Sequence, residues 1–306
     1  MVADALLLVS YGSPECRNDV LPFLKNLLQG RDVSPAILEK AVAQYNELAL
    51  QTGQFSPLAQ QCRLLVAKLS RRNSLLAPLY WGNLFWHPLL SDTLTKMSAD
   101  GVQQAFAFIT SPFDSEISRK RYITAIKNAQ NDLGPNAPKI QMLPAFGNHP
   151  LYYRAVADRI LEPGDYLETA GAKILFTAHS LPLSDSGTEQ YTSQLNKAAS
   201  EVLSLLPKPI PWELVFQSRS GKPSDPWLEP DICVRIRQLA QGRDRTGQSL
   251  SLIIVPIGFL LENKETVYDL DLQVMSLCDE LRIRAFRVGT AGVSSTVLEM
   301  IEQMAK

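Results

Sequence analysis

The chain is poor in the side chains that most often build disulfides and metal sites, since its 306 residues include only four cysteines and three histidines. No two cysteines form a CxxC pair, and no cluster of cysteine and histidine has the spacing of a zinc site. We therefore predict free, mostly buried thiols in a reducing compartment. A cytoplasmic protein is expected, because the short apolar N-terminus carries no charged region typical of a signal peptide.

Long apolar runs are also missing, and none approaches the roughly 18 residues of a membrane-spanning helix. Thirty basic and 31 acidic residues leave a net charge of -1, which gives no general attraction to nucleic acid or to an anionic membrane. The chain has neither a GxGxxG nor a Walker A loop, so nucleotide phosphate binding is poorly supported. Its 45% hydrophobic content is ordinary for a globular protein with a sizeable core.

Eight short apolar runs alternate with longer stretches of helical period. Each run is rich in Val, Ile, Leu or aromatic residues, which is typical of a strand buried on both faces. The runs cover residues 6–10, 76–81, 105–110, 140–145, 173–177, 213–217, 252–256 and 284–288. Their alternation with helices predicts an α/β fold with parallel sheets and helices on both faces.

The eight predicted strands divide into two sets of four, and a helical stretch with a Pro163-Gly164 break separates the sets. We predict two similar Rossmann-like lobes, an N-terminal lobe at residues 1–150 and a C-terminal lobe at residues 151–306. Each is expected to hold a four-stranded parallel sheet. Because ligands of open α/β sheets bind outside the carboxyl ends of the strands, a cleft between the lobes is the expected site.

His179 ends the fifth predicted strand, where an imidazole can accept a proton or bind a metal near neutral pH. After the seventh strand, Glu262, Glu265 and Asp269 have the spacing i, i+3 and i+7, which predicts three carboxylates on one helix face. The alternatives are a hydrogen-bonded structural histidine and an acidic first turn that complements the helix dipole. Oxygen and imidazole donors without a thiolate favour ferrous iron over a soft metal.

Aromatic residues at strand exits, Tyr11 and Phe259 among them, can line a flat apolar slot. Arg219 and Lys222 lie in a polar turn after the sixth strand and are candidate partners of a ligand carboxylate, with an ordinary loop as the alternative. The residues alone therefore predict a cleft with a histidine, carboxylates and aromatics.

Several blocks at ordered spacing carry a more specific signal than any one of them alone. Three of these are residues 177–182 (TAHSLP), 216–221 (FQSRSG) and 256–259 (PIGF), and further blocks are residues 80–83 (YWGN) and 7–15 (LLVSYGSPE). Together they cover nearly the whole chain and resemble the ferrochelatase family, most of all its coproporphyrin III branch.

The resemblance implies a chelatase-like fold and a metal-chelating lyase that inserts Fe²⁺ into coproporphyrin III to give coproheme, with release of two protons, in haem biosynthesis. It implies that His179 and Glu265 are the catalytic pair and the metal ligands, and that Asp269 and Glu262 form a route for protons or metal. The expected substrate-binding residues are Tyr11, Arg31, Ser56 and Phe259.

A base at His179 must be neutral to accept a proton, so we expect its pKa near or below ~6.5. Two positions depart from the family pattern. Asn263 stands where a histidine is usual and Gln273 where a glutamate is usual. The first departure leaves the tuning of Glu265 open, and the second leaves an outer metal site open.

We expect no permanently bound cofactor and no iron–sulfur cluster, because no cysteine follows Cys278. The chain is predicted to be a monomer with no transmembrane segment and no nucleic-acid partner. Three alternatives stay open. A protoporphyrin IX ferrochelatase, or a cobalt or nickel chelatase, shares the fold; a porphyrin or haem carrier binds without inserting metal; and a periplasmic-type binding protein also has two α/β halves.

Overall fold

The structure is a computed structural model that describes residues 3–30, 33–72, 77–162, 164–220 and 225–306. Its contacts divide the chain into two compact units. The first unit comprises Met1–Thr110, Ser118–Pro144 and Leu298–Lys306, and the second comprises Ser111–Ile117 and Ala145–Val297. Two short segments therefore pack with the unit opposite to their place in sequence. As separate domains, the predicted halves 1–150 and 151–306 stay a prediction.

The first unit contains a four-stranded parallel sheet. Its strands are β1 (Ala5–Ser10), β2 (Leu79–Asn83), β3 (Gln104–Ile109) and β4 (Lys139–Met142), and they lie in the order β2-β1-β3-β4. Every residue of β1 is buried because helices cover both faces. On one face Leu7 and Val9 pack against helix residues such as Leu94, and on the other the Sγ of Cys62 lies 3.5 Å from the Oγ of Ser10.

The helices of the first unit are α1 (Arg17–Leu27), α2 (Pro35–Thr52), α3 (Leu58–Ser70), α4 (Leu90–Ala99) and α5 (Glu116–Leu133). Local sequence sets the ends of α2 in particular. Pro35 occupies its first turn, where the missing N–H costs no hydrogen bond, and Gly53 ends it with a left-handed φ of 75°.

The second unit repeats the strand order of the first. Its strands are β5 (Ala172–His179), β6 (Trp212–Gln217), β7 (Ser251–Val255) and β8 (Arg284–Arg287), all parallel, in the order β6-β5-β7-β8. Leu175 packs against Ile236 and Val274, while on the other side the ring of Phe176 packs edge-on against that of Trp212, with 5.8 Å between the centroids. Burial on both faces explains why these strands read as continuous apolar runs.

The helical elements of the second unit are α6 (Pro150–Leu161), α7 (Thr188–Ser204), α8 (Ile232–Thr246), a π-helical segment (Thr266–Val274) and α9 (Met275–Glu280). The last helix, α10 (Ser295–Met304), begins in the second unit and continues into the first. Within the described ranges, no helix is long and apolar enough to cross a membrane. The predicted α/β class with two four-stranded parallel sheets is confirmed, and the predicted cleft stays a prediction.

Candidate active site

The candidate site lies at the carboxyl edge of the second sheet, where β6, β5 and β7 end side by side. His179 is the last residue of β5 and is the register partner of Gln217, the last residue of β6. The chain leaves β7 at Pro256 and enters helical backbone at Lys264. Parallel strands bring these three exits to one edge, which is the usual place for a ligand in an open α/β sheet.

The hydrogen bonds of His179 fix the orientation and the tautomer of its imidazole. Its Nδ1 lies 2.5 Å from the main-chain oxygen of Ser180, and because a carbonyl can only accept, Nδ1 must carry a hydrogen. Its Nε2 lies 3.5 Å from Oε1 of Glu265. The nitrogen that faces Glu265 is therefore the one that gains or loses a proton.

The loop after β7 passes directly over β5 because residue 258 has no side chain. The N–H of Gly258 donates to the main-chain oxygen of Thr177 at 3.1 Å. A Cβ at this position would lie 2.6 Å from the Cβ of Ala178 and 2.8 Å from its Cα. From the other side, the hydroxyl of buried Tyr152 donates to the main-chain oxygen of Ile257 at 2.7 Å. The loop is thereby held next to His179.

Asn263 caps the helical backbone that carries Glu265. Its Oδ1 accepts from the N–H of Thr266 at 2.9 Å, and its own N–H donates to the hydroxyl of Thr266 at 3.0 Å. This reciprocal pair satisfies two backbone donors at the start of a helix. The departure at Asn263 therefore has a structural role, which is to place Glu265 in the first turn.

The prediction that Glu262, Glu265 and Asp269 lie on one helix face is wrong for Glu262. Glu262 precedes the helix, and its Oε1 accepts from Arg287 at 2.7 Å and from the N–H of Thr290 at 2.8 Å. Asp271 accepts from the same guanidinium. The i, i+3, i+7 pattern assumed an α-helix from residue 262, whereas the cap begins the helix later and Thr266–Val274 is π-helical. The role of Glu262 in a proton or metal route stays a prediction.

Asp269 lies on the π-helical segment near Glu265, and it is hydrogen-bonded to Ser218, the residue that follows β6. The hydroxyl of Ser218 donates to its carboxylate. Ser218 has a left-handed φ of 62°, which is uncommon for a residue other than glycine and is often found at functional sites. Asp269 is 9% exposed, so most of its carboxyl group is shielded from water.

The electrostatics correct the expected protonation of His179. Burial alone lowers the pKa of His179, but the carboxylate of Glu265 and the Ser180 carbonyl outweigh it and raise that pKa to about 9. Burial raises the pKa of Glu265, and the facing imidazolium overcomes this and holds it below its usual range. About a third of each side chain is exposed (32% and 36%), so water screens the pair in part. An ion pair, and not a neutral histidine, is the resting state at neutral pH.

Burial raises the pKa of Asp269, and the nearby carboxylate of Glu265 acts in the same direction. Lys264, Ser218 and His179 oppose the shift without cancelling it. A carboxylate with a raised pKa holds a proton more readily than an ordinary one. Asp269 is therefore suited to receive a proton from the pair.

Tyr11 and Ser56 lie in the first unit. The ring of Tyr11 packs edge-on against Phe85 with 4.7 Å between centroids, and Ser56 is 8% exposed near the start of α3. Phe259 follows β7 in the second unit and is 8% exposed. Arg31 and Lys222 lie outside the described residues. The substrate contacts predicted for all of these residues stay predictions.

The guanidinium of Arg219 donates to the main-chain oxygen of Asp225 at 2.7 Å, and its contact with a ligand carboxylate stays a prediction. Among the residues that the structure describes, no group of three or more His, Cys, Asp or Glu side chains is arranged to hold a metal ion.

Sequence reasoning missed two residues that support the pair. The hydroxyl of Tyr191, on α7, donates to the main-chain oxygen of His179 at 3.2 Å. The amide of Gln217 donates to the main-chain oxygen of Glu265 at 3.1 Å. Gln217 belongs to a block that resembles the family, but only the fold shows which carbonyl its side chain reaches.

Two four-stranded parallel sheets, and an imidazole 3.5 Å from a carboxylate at the edge of the second, are the arrangement expected of a metal-chelating enzyme. A family model described as Ferrochelatase matches residues 3–306. The chain belongs to the ferrochelatase family.

Similar proteins agree with this assignment. A protein of Rhodopirellula baltica named ferrochelatase is 37% identical over 97% of this chain and 84% of its own length. A coproporphyrin III ferrochelatase of Frankia alni is 37% identical over 99% of this chain and 79% of its own length. A solved structure, SirB from Bacillus subtilis with Fe³⁺, has a TM-score of 0.55 at 11% identity, covering 98% of this chain and 93% of that one, and shows the shared fold.

Proposed function

We propose that this enzyme inserts Fe²⁺ into coproporphyrin III to give coproheme, with release of two protons, as a step of haem biosynthesis. The observation that carries the proposal is the 3.5 Å approach of His179 Nε2 to Glu265 Oε1 at the carboxyl edge of the second sheet. The choice of coproporphyrin is supported by similar proteins named coproporphyrin III ferrochelatase, in Frankia alni and Nocardia farcinica among others.

The resting ion pair gives the reaction a definite proton balance. Fe²⁺ is a substrate, and it competes with the shared proton for the imidazole nitrogen and the carboxylate, so loading iron releases one proton. When iron passes to the macrocycle, two pyrrole N–H protons are lost. One restores the His179–Glu265 pair, and Asp269 carries the other towards solvent. The sum is the release of two protons for each iron inserted.

His179 Nε2 is oriented for this exchange. With Nδ1 held by Ser180, the free imidazole presents one lone pair, and it can bind either a proton or a metal ion there. Glu265 accepts or returns the same proton over a short path. A positioned base of this kind contributes about 10²- to 10⁴-fold in rate.

An anaerobic spectrophotometric assay tests the proposal. The enzyme is supplied with Fe²⁺ and either coproporphyrin III or protoporphyrin IX, and loss of the free-porphyrin spectrum is followed. We expect kcat/KM to be at least about tenfold higher for coproporphyrin III, which corresponds to ~1.4 kcal/mol in transition-state binding. A preference for protoporphyrin IX contradicts the substrate, and porphyrin binding without metal insertion contradicts catalysis and identifies a carrier.

Metal choice is tested in the same assay with Co²⁺ and Ni²⁺ in place of Fe²⁺. We expect Fe²⁺ to be the preferred metal, and faster insertion of either other ion contradicts this. The absence of a permanently bound cofactor and of an iron–sulfur cluster, the cytoplasmic location and the monomeric state stay predictions.

A further inference from the structure

Gln217 joins the two chain segments that carry the candidate pair. Its side chain is 2% exposed. Oε1 accepts from the hydroxyl of Thr177 at 2.7 Å, two residues before His179, and Nε2 donates to the main-chain oxygen of Glu265 at 3.1 Å. The main-chain oxygen of Gln217 also accepts from the N–H of Ser180 at 2.8 Å. One residue thus contacts both sides of the pair.

The chemistry of these bonds requires an amide. The main-chain oxygen of Glu265 can only accept, so a donor must face it, and the remaining oxygen of the side chain must then accept from Thr177. Glutamine has one donor end and one acceptor end at the required separation. A methionine has neither, and a glutamate at this position would turn a carboxylate oxygen towards the carbonyl of Glu265.

The first unit has an amide at the corresponding place. Asn83 is the last residue of β2, the edge strand next to β1, as Gln217 is the last residue of β6, the edge strand next to β5. The Nδ2 of Asn83 donates to the main-chain oxygen of His87 at 3.1 Å. In both units, therefore, a side-chain amide at the end of the edge strand donates to the main chain of a later segment. In the second unit that segment carries Glu265.

We propose that Gln217 is a positioning residue for metal insertion: its side-chain amide sets the distance between the imidazole of His179 and the carboxylate of Glu265. This inference rests on the proposed function. Without the amide, the first helical turn loses its hydrogen bond to the sheet. A displacement of about 1 Å between reacting groups can lower a rate by about 10²-fold.

The test compares Gln217→Met with a matched control, Gln130→Met. Gln130 lies on α5 and also donates its amide to a main-chain oxygen, that of Pro138, at 2.8 Å. We expect Gln217→Met to lower kcat for iron insertion by about 10- to 100-fold while KM for the porphyrin changes by less than about twofold. The control substitution should leave both parameters within about twofold.

A double-mutant cycle separates positioning from general damage. In a Glu265→Gln background, adding Gln217→Met should cost much less than it does in the wild-type enzyme, because the group it positions is already lost. Gln217→Glu keeps the shape of the side chain, and it should show the same fall in kcat even where the methionine variant does not fold.

Two results would overturn the inference while leaving the proposed function intact. One is an active wild type with an unchanged kcat in Gln217→Met or Gln217→Glu. The other is a fall in kcat that is fully additive with that of Glu265→Gln. An inactive wild type, by contrast, would refute the proposed function first.

Discussion

The imidazole of His179 has one nitrogen that is committed and one that is available. Because Nδ1 donates to the carbonyl of Ser180, any proton or metal must be exchanged at Nε2, the atom that faces Glu265. Tyr191 supports the same residue from its main-chain side. Under the proposed function, the proton and metal exchange would therefore take place at one atom whose direction is set by its neighbours.

Substituting His179 by alanine removes that atom and should lower kcat for iron insertion by about 10²- to 10⁴-fold. Porphyrin binding should persist, because most of the binding energy comes from the rest of the macrocycle. Steady-state turnover and fluorescence titration of coproporphyrin III measure the two effects separately. His149→Asn is the control: His149 caps α6 by accepting from the N–H of Leu151, and asparagine is also a good cap. Turnover near the wild-type value in His179→Ala would remove His179 from the mechanism.

The pKa of His179 also predicts how stability depends on pH. Its pKa is about 9 in the folded chain against 6.5 for an unperturbed histidine, so folding favours the protonated form. The stabilisation is fully present below pH 6.5 and is lost as the pH rises towards about 9. Urea unfolding of the wild type and His179→Gln over this range should show their difference in free energy shrinking with pH. A difference that stays constant or grows would contradict the raised pKa.

The sequence predicted that His179 and Glu265 act together, but it did not predict the charge of either side chain. His179 and Glu265 are 86 positions apart in sequence, and the expected pKa for His179 followed from the need for a neutral base and left out the charge of Glu265. Their separation of 3.5 Å is a product of the fold, and it reverses the direction of the pKa shift. Residue type and strand position are readable from sequence, whereas a pairwise electrostatic interaction requires coordinates.

Among the elements, the strands were predictable and the helix after β7 was not. A fully buried strand leaves a continuous apolar run, as Ser251–Val255 does, and needs no distant information. The helix start depends in part on Arg287, which lies 25 positions after Glu262 in sequence. Its guanidinium binds the Glu262 carboxylate, so Glu262 does not share a helix face with Glu265 and Asp269. The helix start also depends on the cap at Asn263, which the family comparison had presented only as a missing histidine.

The loop after β7 should be sensitive to a single methyl group at Gly258. Gly258→Ala forces a Cβ to within 2.8 Å of the Cα of Ala178, so the backbone must move, at a cost of about 1–3 kcal/mol. We expect lower stability in urea and a lower kcat, since the same loop leads to Glu265. Gly242→Ala is the matched control, because nothing lies within 4 Å of its added Cβ inside α8, and it should stabilise by about 0.5–1 kcal/mol. Equal effects of both substitutions would contradict the close approach at Gly258.

Arg287 on β8 should stabilise the packing of the π-helical segment Thr266–Val274 against the second sheet. Arg287 is 12% exposed and pairs with Glu262 and Asp271, so Arg287→Met leaves two carboxylates without their cation. Removing one partner of a buried ion pair costs about 3–5 kcal/mol. Arg154→Met breaks an exposed pair with Asp158 and should cost only about 0.2–1 kcal/mol. Urea unfolding compares them, and a loss below about 1 kcal/mol for Arg287→Met would show that the network adds little.

Across the whole molecule, two predicted site residues, Tyr11 and His179, lie at equivalent places in two sheets of the same strand order. β1 and β5 are each the second strand of their sheet; Tyr11 follows β1 and His179 ends β5. Their block patterns were found in the sequence, and the repeated topology explains why two dissimilar motifs both mark a strand exit. The distribution of roles cannot be read from topology: the second unit places the carboxylate of Glu265 beside His179, and the role of Tyr11 stays a prediction.

Binding of the proposed substrate should be visible in the stability of the whole chain. At a free coproporphyrin III concentration of about 100 times its Kd, a ligand that binds only the folded state adds ~2.7 kcal/mol. For 306 residues, the unfolding entropy typical of globular proteins converts this into a rise in Tm of about 4 °C. His179→Ala should show nearly the same rise, since the imidazole serves the reaction and contributes little to holding the macrocycle. Differential scanning calorimetry with and without coproporphyrin III measures both proteins. No rise in the wild type would exclude tight coproporphyrin binding, and a rise lost in His179→Ala would make the imidazole a binding group as well.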